Sequence, residues 1–202
     1  VLLALELGGN NPIVTLESVD PDVAAKIVSF SAFVSAGQRC TCARRAFYLD
    51  SPAANNQIGA LVNLARGLRS GLPFHSPVPQ IGPLVSEAAA NGVRQAYERL
   101  ITLGCKPLLS PAIFQTCSSL IGPAIVDATG ISSAAIREIN EMEWFGPLLV
   151  LQRVDDFETA VEAAAQTPYG LSAALLGGSE QQFEKFVDHV GAGVVNWNSP
   201  TT

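Results

Sequence analysis

Apolar positions fall into short continuous runs separated by longer stretches of helical period. Val1 to Leu5 is uninterrupted, as in a strand covered on both faces. A turn cluster, Gly8-Gly9-Asn10-Asn11-Pro12, leads into a second strand ending at Leu16. Asp20-Pro21 reads as an N-cap followed by proline at the first helical position. Val23, Ile27, Phe30 and Val34 then recur at helical spacing up to Gly37, a C-terminal stop. Further strands are expected at 46–49, 106–109, 119–126, 148–154, 171–176 and 193–196. Further helices are expected at 51–69, 86–103, 155–166 and 179–190. The proline- and glycine-rich 71–83 stretch reads as a surface loop.

Strands alternating with helices of ten or more residues point to an α/β fold: an open, mainly parallel, twisted sheet with helices on both faces. Its crossovers should be right-handed, and its active residues should lie at the carboxyl ends of strands. No repeat, linker or low-complexity tract interrupts residues 1–202, which read as one domain or one large piece of a longer protein.

Composition narrows the classes of function. Eighteen acidic residues against twelve basic ones give a net charge of −6, which argues against a nucleic-acid partner. No apolar run reaches membrane-spanning length, so no membrane partner is expected. No leader pattern is seen, and four cysteines in a chain with this much core do not suggest a disulfide framework. A reduced, cytoplasmic setting follows as the expectation. Cys40-x-Cys42 has no companion cluster, so no metal is expected.

The chemistry concentrates in Ser35-Ala36-Gly37-Gln38-Arg39-Cys40-Thr41-Cys42-Ala43-Arg44-Arg45. Nearby cations favour thiolate, the nucleophilic form, and a loop position lets a reactive atom face a cleft. Against this, cysteines in apolar chains are usually small core residues. Glu6, behind its apolar run, suits a carboxylate raised by partial burial toward general-base duty, but acids at strand ends are commonly just exposed.

Three segments carry a resemblance. Phe33-Val34-Ser35-Ala36-Gly37-Gln38-Arg39-Cys40 resembles the cysteine signature of the aldehyde dehydrogenase family. Leu5-Glu6-Leu7-Gly8-Gly9 resembles its glutamate signature, and Glu143-Trp144-Phe145-Gly146-Pro147 its E-x-F-G-P motif. All three stand in the family's order, over essentially the whole chain. The resemblance implies an NAD(P)-dependent enzyme in which Cys40 attacks an aldehyde and Glu6 activates the water that releases the acid. Glu143 would hold the nicotinamide ribose of NAD and Phe145 would pack beside the ring. Asn196 matches a family asparagine near the substrate mouth, and Arg45 an arginine usual after the cysteine. One subfamily, whose aldehyde substrate carries two carboxylates, fits best, with Arg39 and Arg44 near the nucleophile as anion attractors. The family's common lysine after L-G-G is Asn10 here, and an asparagine often found before Y-G-L is Gln166.

On this resemblance residues 1–202 correspond to the catalytic domain, with the nucleotide-binding domain and a C-terminal segment outside them. The whole protein would be a homo-oligomer acting on a small aldehyde, and this piece alone would bind NAD poorly and be inactive. Two other readings stay open: a cofactor-independent thiol hydrolase using Cys40 and Glu6, and a non-catalytic α/β interaction fragment with core cysteines.

Overall fold

The computed structural model describes residues 1–202. The strands are β1 (Asn11–Thr15), β2 (Ala43–Leu49), β3 (Lys106–Leu109), β4 (Ala124–Asp127), β5 (Leu148–Val154), β6 (Ser172–Leu176) and β7 (Val194–Trp197). The helices are α1 (Pro21–Phe33), α2 (Pro52–Gly67), α3 (Glu87–Thr102), α4 (Ser133–Glu141), α5 (Phe157–Ala165) and α6 (Glu180–Val190). All seven strands join one sheet in the order β3-β4-β5-β2-β1-β6-β7. Only the β3–β4 pair is antiparallel. This is the α/β architecture expected from the alternation of periods.

Period-two side-chain alternation splits the core in two. Ile13, Ala46, Tyr48, Ala174 and Leu176 face one way, into a cluster closed by α1, α2, α3 and α4. Their neighbours Val14, Phe47, Ala173 and Leu175 face the other, against Phe157, Ala160 and Val161 of α5 and Phe186 of α6. Helices therefore cover both faces. No helix is long and apolar enough to cross a membrane.

Helix starts follow the local chemistry. Asp20, Ser51, Ser86, Ser132, Asp156 and Ser179 each accept hydrogen bonds from first-turn N–H groups, as N-caps do. α4 is a helix the apolar pattern did not announce. It is nine residues long, and its buried positions are only Ala135, Ile139 and Asn140, too few to set a period.

Three expectations about the elements fail. Val1 to Leu5 forms no strand and is exposed, Val1 and Leu2 fully so. β1 begins at Asn11, level with the first residues of β2 and β6, so the preceding run extends past the start of both neighbours and has nothing to pair with. On α1, Val23 and Phe30 point outward, and the buried face is Ala24, Ala25, Val28, Ala32 and Phe33. Small residues let α1 lie close to the sheet and α2, so the bulky stripe is the outer one. The 119–126 strand is also shorter than expected, pairing only from Ala124.

Candidate active site

The motif-bearing segments meet at the amino-terminal edge of the sheet, not at the carboxyl ends of its strands. The carboxyl ends of β1, β2, β5 and β6 run within a few residues into the N-caps Asp20, Ser51, Asp156 and Ser179. Those short turns leave little room for a site. The segments entering β1, β2 and β5 are the ones that approach each other.

The cysteine loop is an unusual stretch of backbone. α1 stops at Phe33, and Ser35, Ala36 and Gly37 then take left-handed conformations, with φ of 54°, 55° and 69°. Two of these are not glycine, and strain of this kind collects at functional sites. Gly37 has a second reason to lack a side chain: a Cβ there would overlap the carbonyl of Gly146. The loop thus lies backbone to backbone on the Phe145-Gly146-Pro147 turn. Gln38 pins its flank by accepting from the Val85 N–H at 2.8 Å.

Gly9 lies equally close on the other side, where a Cβ would meet the Cys40 carbonyl. Asn11, 2% exposed, locks this contact. Its amide donates to the carbonyls of Cys40 (2.7 Å) and Cys42 (2.8 Å), and its Oδ1 accepts from the Ser172 N–H. One side chain at the start of β1 therefore joins the cysteine loop to β6. Only its place beside a turn cluster marked Asn11 in the sequence, and turn asparagines seldom bind at such range.

Cys40 is half-buried and its N–H makes no hydrogen bond within the chain. Cys42 is buried, its Sγ 3.7 Å from the Val34 carbonyl, and burial raises its thiol pKa. Burial likewise pushes Cys105 up to about 11. Cys117 is half-buried.

Glu143 is exposed, and its Oε1 accepts from the Gly9 N–H at 2.8 Å. Its carboxylate fills a notch that any Cβ on Gly8 would occupy. Phe145 is 44% exposed, and its ring centroid lies 5.6 Å from the Arg44 guanidinium. Cys40, Glu143 and Phe145 are thereby gathered around Gly8-Gly9 and Arg44.

The arginines divide. Arg44 is fully buried, donating to the carbonyls of Gly146 and Arg39, so it braces the loop from beneath and is not open to an anion. Arg45 is also buried, within the core side of β2. Arg39 is exposed, its Nε 3.0 Å from Ser35 Oγ and its Nη1 3.4 Å from Thr202 Oγ1. Thr41 Oγ1 reaches the same Thr202 hydroxyl at 2.7 Å.

Two residues singled out by sequence stand apart. Glu6 is exposed and makes no hydrogen bond, contrary to the expected partial burial, because the arm it sits on has nothing to pack against. It lies three residues before Gly9, a reach of about 10 Å. Asn196 pairs with Ala174, which pairs with Ile13 and so stands level with Ala46, inside the sheet. It is three strands from β2, about 14 Å across the sheet. No group of three or more His, Cys, Asp or Glu side chains gathers to hold a metal ion.

The aldehyde dehydrogenase family model matches residues 2–202. The chain belongs to the aldehyde dehydrogenase family. N-succinylglutamate 5-semialdehyde dehydrogenases from Cronobacter sakazakii and Escherichia coli K12 are 41% and 40% identical to it over 201 residues. The chain is covered completely in both alignments and spans 40% of each relative's length. Among solved structures, a Thermus thermophilus 1-pyrroline-5-carboxylate dehydrogenase mutant superposes with a TM-score of 0.87 at 28% identity, covering 98% of this chain and 37% of that one. A Bacillus halodurans NADP-dependent glyceraldehyde-3-phosphate dehydrogenase complexed with NADP gives 0.85 at 27%, covering 98% and 39%.

Two outcomes test this geometry. Gly37→Ala combines a left-handed backbone with an overlap at Gly146, and should cost about 3 kcal/mol in urea unfolding. Iodoacetamide at pH 8 should modify Cys40 and Cys117 and spare Cys42 and Cys105. A raised thiol pKa means less thiolate at a given pH, so Cys105 should label appreciably only as the pH approaches 11.

Proposed function

We propose that this chain is the catalytic domain of an NAD-dependent aldehyde dehydrogenase whose substrate is N-succinylglutamate semialdehyde or a close dicarboxylate analogue. The observation that carries the reading is the meeting of three separate segments at one sheet edge. The Cys40 carbonyl abuts Gly9, Gly9 holds Glu143, and Phe145 lies on the arginine beneath the cysteine loop. Family membership and relatives of that name at about 40% identity over the whole chain support it. A solved 1-pyrroline-5-carboxylate dehydrogenase from Thermus with bound NAD, 28% identical with a TM-score of 0.85, supports the cofactor.

The residues present fit a nicotinamide cofactor. Glu143 presents a second carboxylate oxygen that accepts no hydrogen bond within the chain, suited to a sugar hydroxyl. Phe145 offers an exposed ring face. Such a cofactor supplies the two-electron acceptor. Because the chain spans 40% of its relatives' length, most of the dinucleotide would be held by another portion of the whole enzyme, and this chain alone would be inactive.

Cys40 Sγ, as thiolate, adds to the aldehyde carbon and forms the C–S bond. The free Cys40 N–H is placed to donate to the oxyanion that develops. Once the carbon is oxidised, the acyl group is a thioester on Cys40. Glu6, on an exposed arm three residues before Gly9, takes a proton from the water that hydrolyses it. Arg39, exposed and without a carboxylate partner, meets a substrate carboxylate.

Cys40→Ala in the whole enzyme should lower kcat at least about a thousandfold, with unchanged unfolding. Retention of NAD-dependent turnover would rule out Cys40 as the nucleophile. Arg39→Ala should raise KM for the dicarboxylate aldehyde about tenfold and leave an uncharged aldehyde unaffected. Equal effects on both substrates would remove Arg39 from recognition.

A further inference from the structure

We propose that Asn10 and Arg45 form a positioning pair that fixes where Glu143 presents its carboxylate to the cofactor. The proposal rests on the reading of Glu143 as the residue that meets the cofactor. Its starting point is a helix end. The last carbonyls of a helix have no partner within it. α4 has no basic residue in its last turn, and its chain exits through an extended Met142 rather than a left-handed glycine. Its carbonyls are met from the segment that enters β1. The Asn10 amide, fully buried, donates to the carbonyls of Ile139 (2.8 Å), Asn140 (3.3 Å) and Met142 (2.8 Å).

Arg45 decides which way that amide faces. Its Nε donates to Asn10 Oδ1 at 2.9 Å, and one terminal nitrogen donates to the Asn10 carbonyl at 3.1 Å. The guanidinium also reaches Asn140 Oδ1 and the carbonyls of Ala163 and Ala164, at the end of α5. Burial works against its charge, no carboxylate bonds to it, and these five oxygens hold it. With Oδ1 turned to Arg45, the Asn10 NH2 can only face α4. A lysine at position 10 could donate to the same carbonyls but could not accept from Arg45.

The consequence lies one residue along on each side. Gly9 precedes Asn10, and Glu143 follows Met142. The bonds Asn10 to Met142 and Gly9 to Glu143 are two adjacent rungs between the same two segments. Both are partly buried, but the first starts from the fully buried Asn10 amide that Arg45 orients, and the second ends on the exposed Glu143 side chain. Without the first, the Gly9 bond alone holds Glu143 in the Gly8-Gly9 notch.

The test is made in the whole enzyme. Asn10→Asp keeps the size and Arg45's acceptor but turns an oxygen toward three carbonyls. NADH binding, read by nicotinamide fluorescence, should weaken about tenfold. Cys40 alkylation and KM for the aldehyde should change less than about twofold. Exchange of the Gly9 amide with solvent, measured without cofactor, should speed up. Asn10→Ser, which drops the amide without adding charge, gives the same readouts should the aspartate variant not fold. Asn10→Asp that binds NADH and protects Gly9 like the parent overturns the pair. So does a loss shared equally by NADH, aldehyde and alkylation, which marks a merely structural role. Glu143→Gln separates the two layers. If it leaves NADH affinity unchanged, the reading of Glu143 falls. If it weakens NADH while Asn10→Asp does not, only the positioning pair falls.

Discussion

The structure depends on two backbone-to-backbone approaches at the amino-terminal edge of its sheet. Gly9 lies against the carbonyl of Cys40, and Gly37 against the carbonyl of Gly146. Neither tolerates a single added carbon, so the cysteine loop is held between the entries to β1 and β5 by shape before any hydrogen bond is counted. Packing that tight is directional and rigid. Three left-handed residues in a row become tolerable there because the surroundings over-determine the loop.

The remainder of the fold keeps that edge in register. Neighbouring strands bring residues 9–11, 40–43 and 146–148 side by side, because β1 pairs with β2 and β2 with β5 in parallel. Buried side chains then tie what the strands align: Asn11 takes the loop carbonyls, and Arg44 takes those of Arg39 and Gly146. Helices serve the same end from outside. α1 uses alanines to press on the sheet and delivers its chain to the loop, whose left-handed run begins at Ser35, two residues after the helix ends.

The sequence made the architecture and the chemistry readable to different depths. Strands and capped helices were legible because their signals are local: short continuous apolar runs, and Ser or Asp before a first turn. α4 was not, since its buried face is two apolar residues and an asparagine whose partners come from Thr167 and Arg45. The Val1–Leu5 run misled because a continuous apolar stretch states that burial is wanted, and not that a neighbour exists within the chain. The Val23-Phe30 stripe misled similarly, as helical period shows a face without showing which side it turns. The edge was misplaced by the general rule that open α/β sheets bind at the carboxyl ends of their strands. Here the carboxyl-end loops are among the shortest in the chain. Cys40, Glu143 and Phe145 were legible as types in motifs, and the sheet gathers them. Glu6 and Asn196 were legible in the same way and are not gathered, because their placement depends on an arm and a strand outside the glycine contacts.

The three cationic positions around the thiol show how far residue type underdetermines role. Arg39, Arg44 and Arg45 look alike in sequence, where the first two suggest an anion and the third matches an arginine usual after the cysteine. Strand geometry separates them. Arg44 and Arg45 lie on β2, where side chains alternate between faces, and each is drawn into the interior on its own side. Both donate to carbonyl or amide oxygens rather than carboxylates, with only Arg44 Nε left unpaired, which suits groups that must stay fixed whatever charge the substrate brings. Arg39 precedes the strand, escapes the alternation and keeps a guanidinium on the surface. A cation beside a thiol thus has two distinct uses. Bracing a loop needs burial and neutral acceptors, and meeting a ligand needs exposure and a donor left over. On this edge the boundary between them falls where β2 begins.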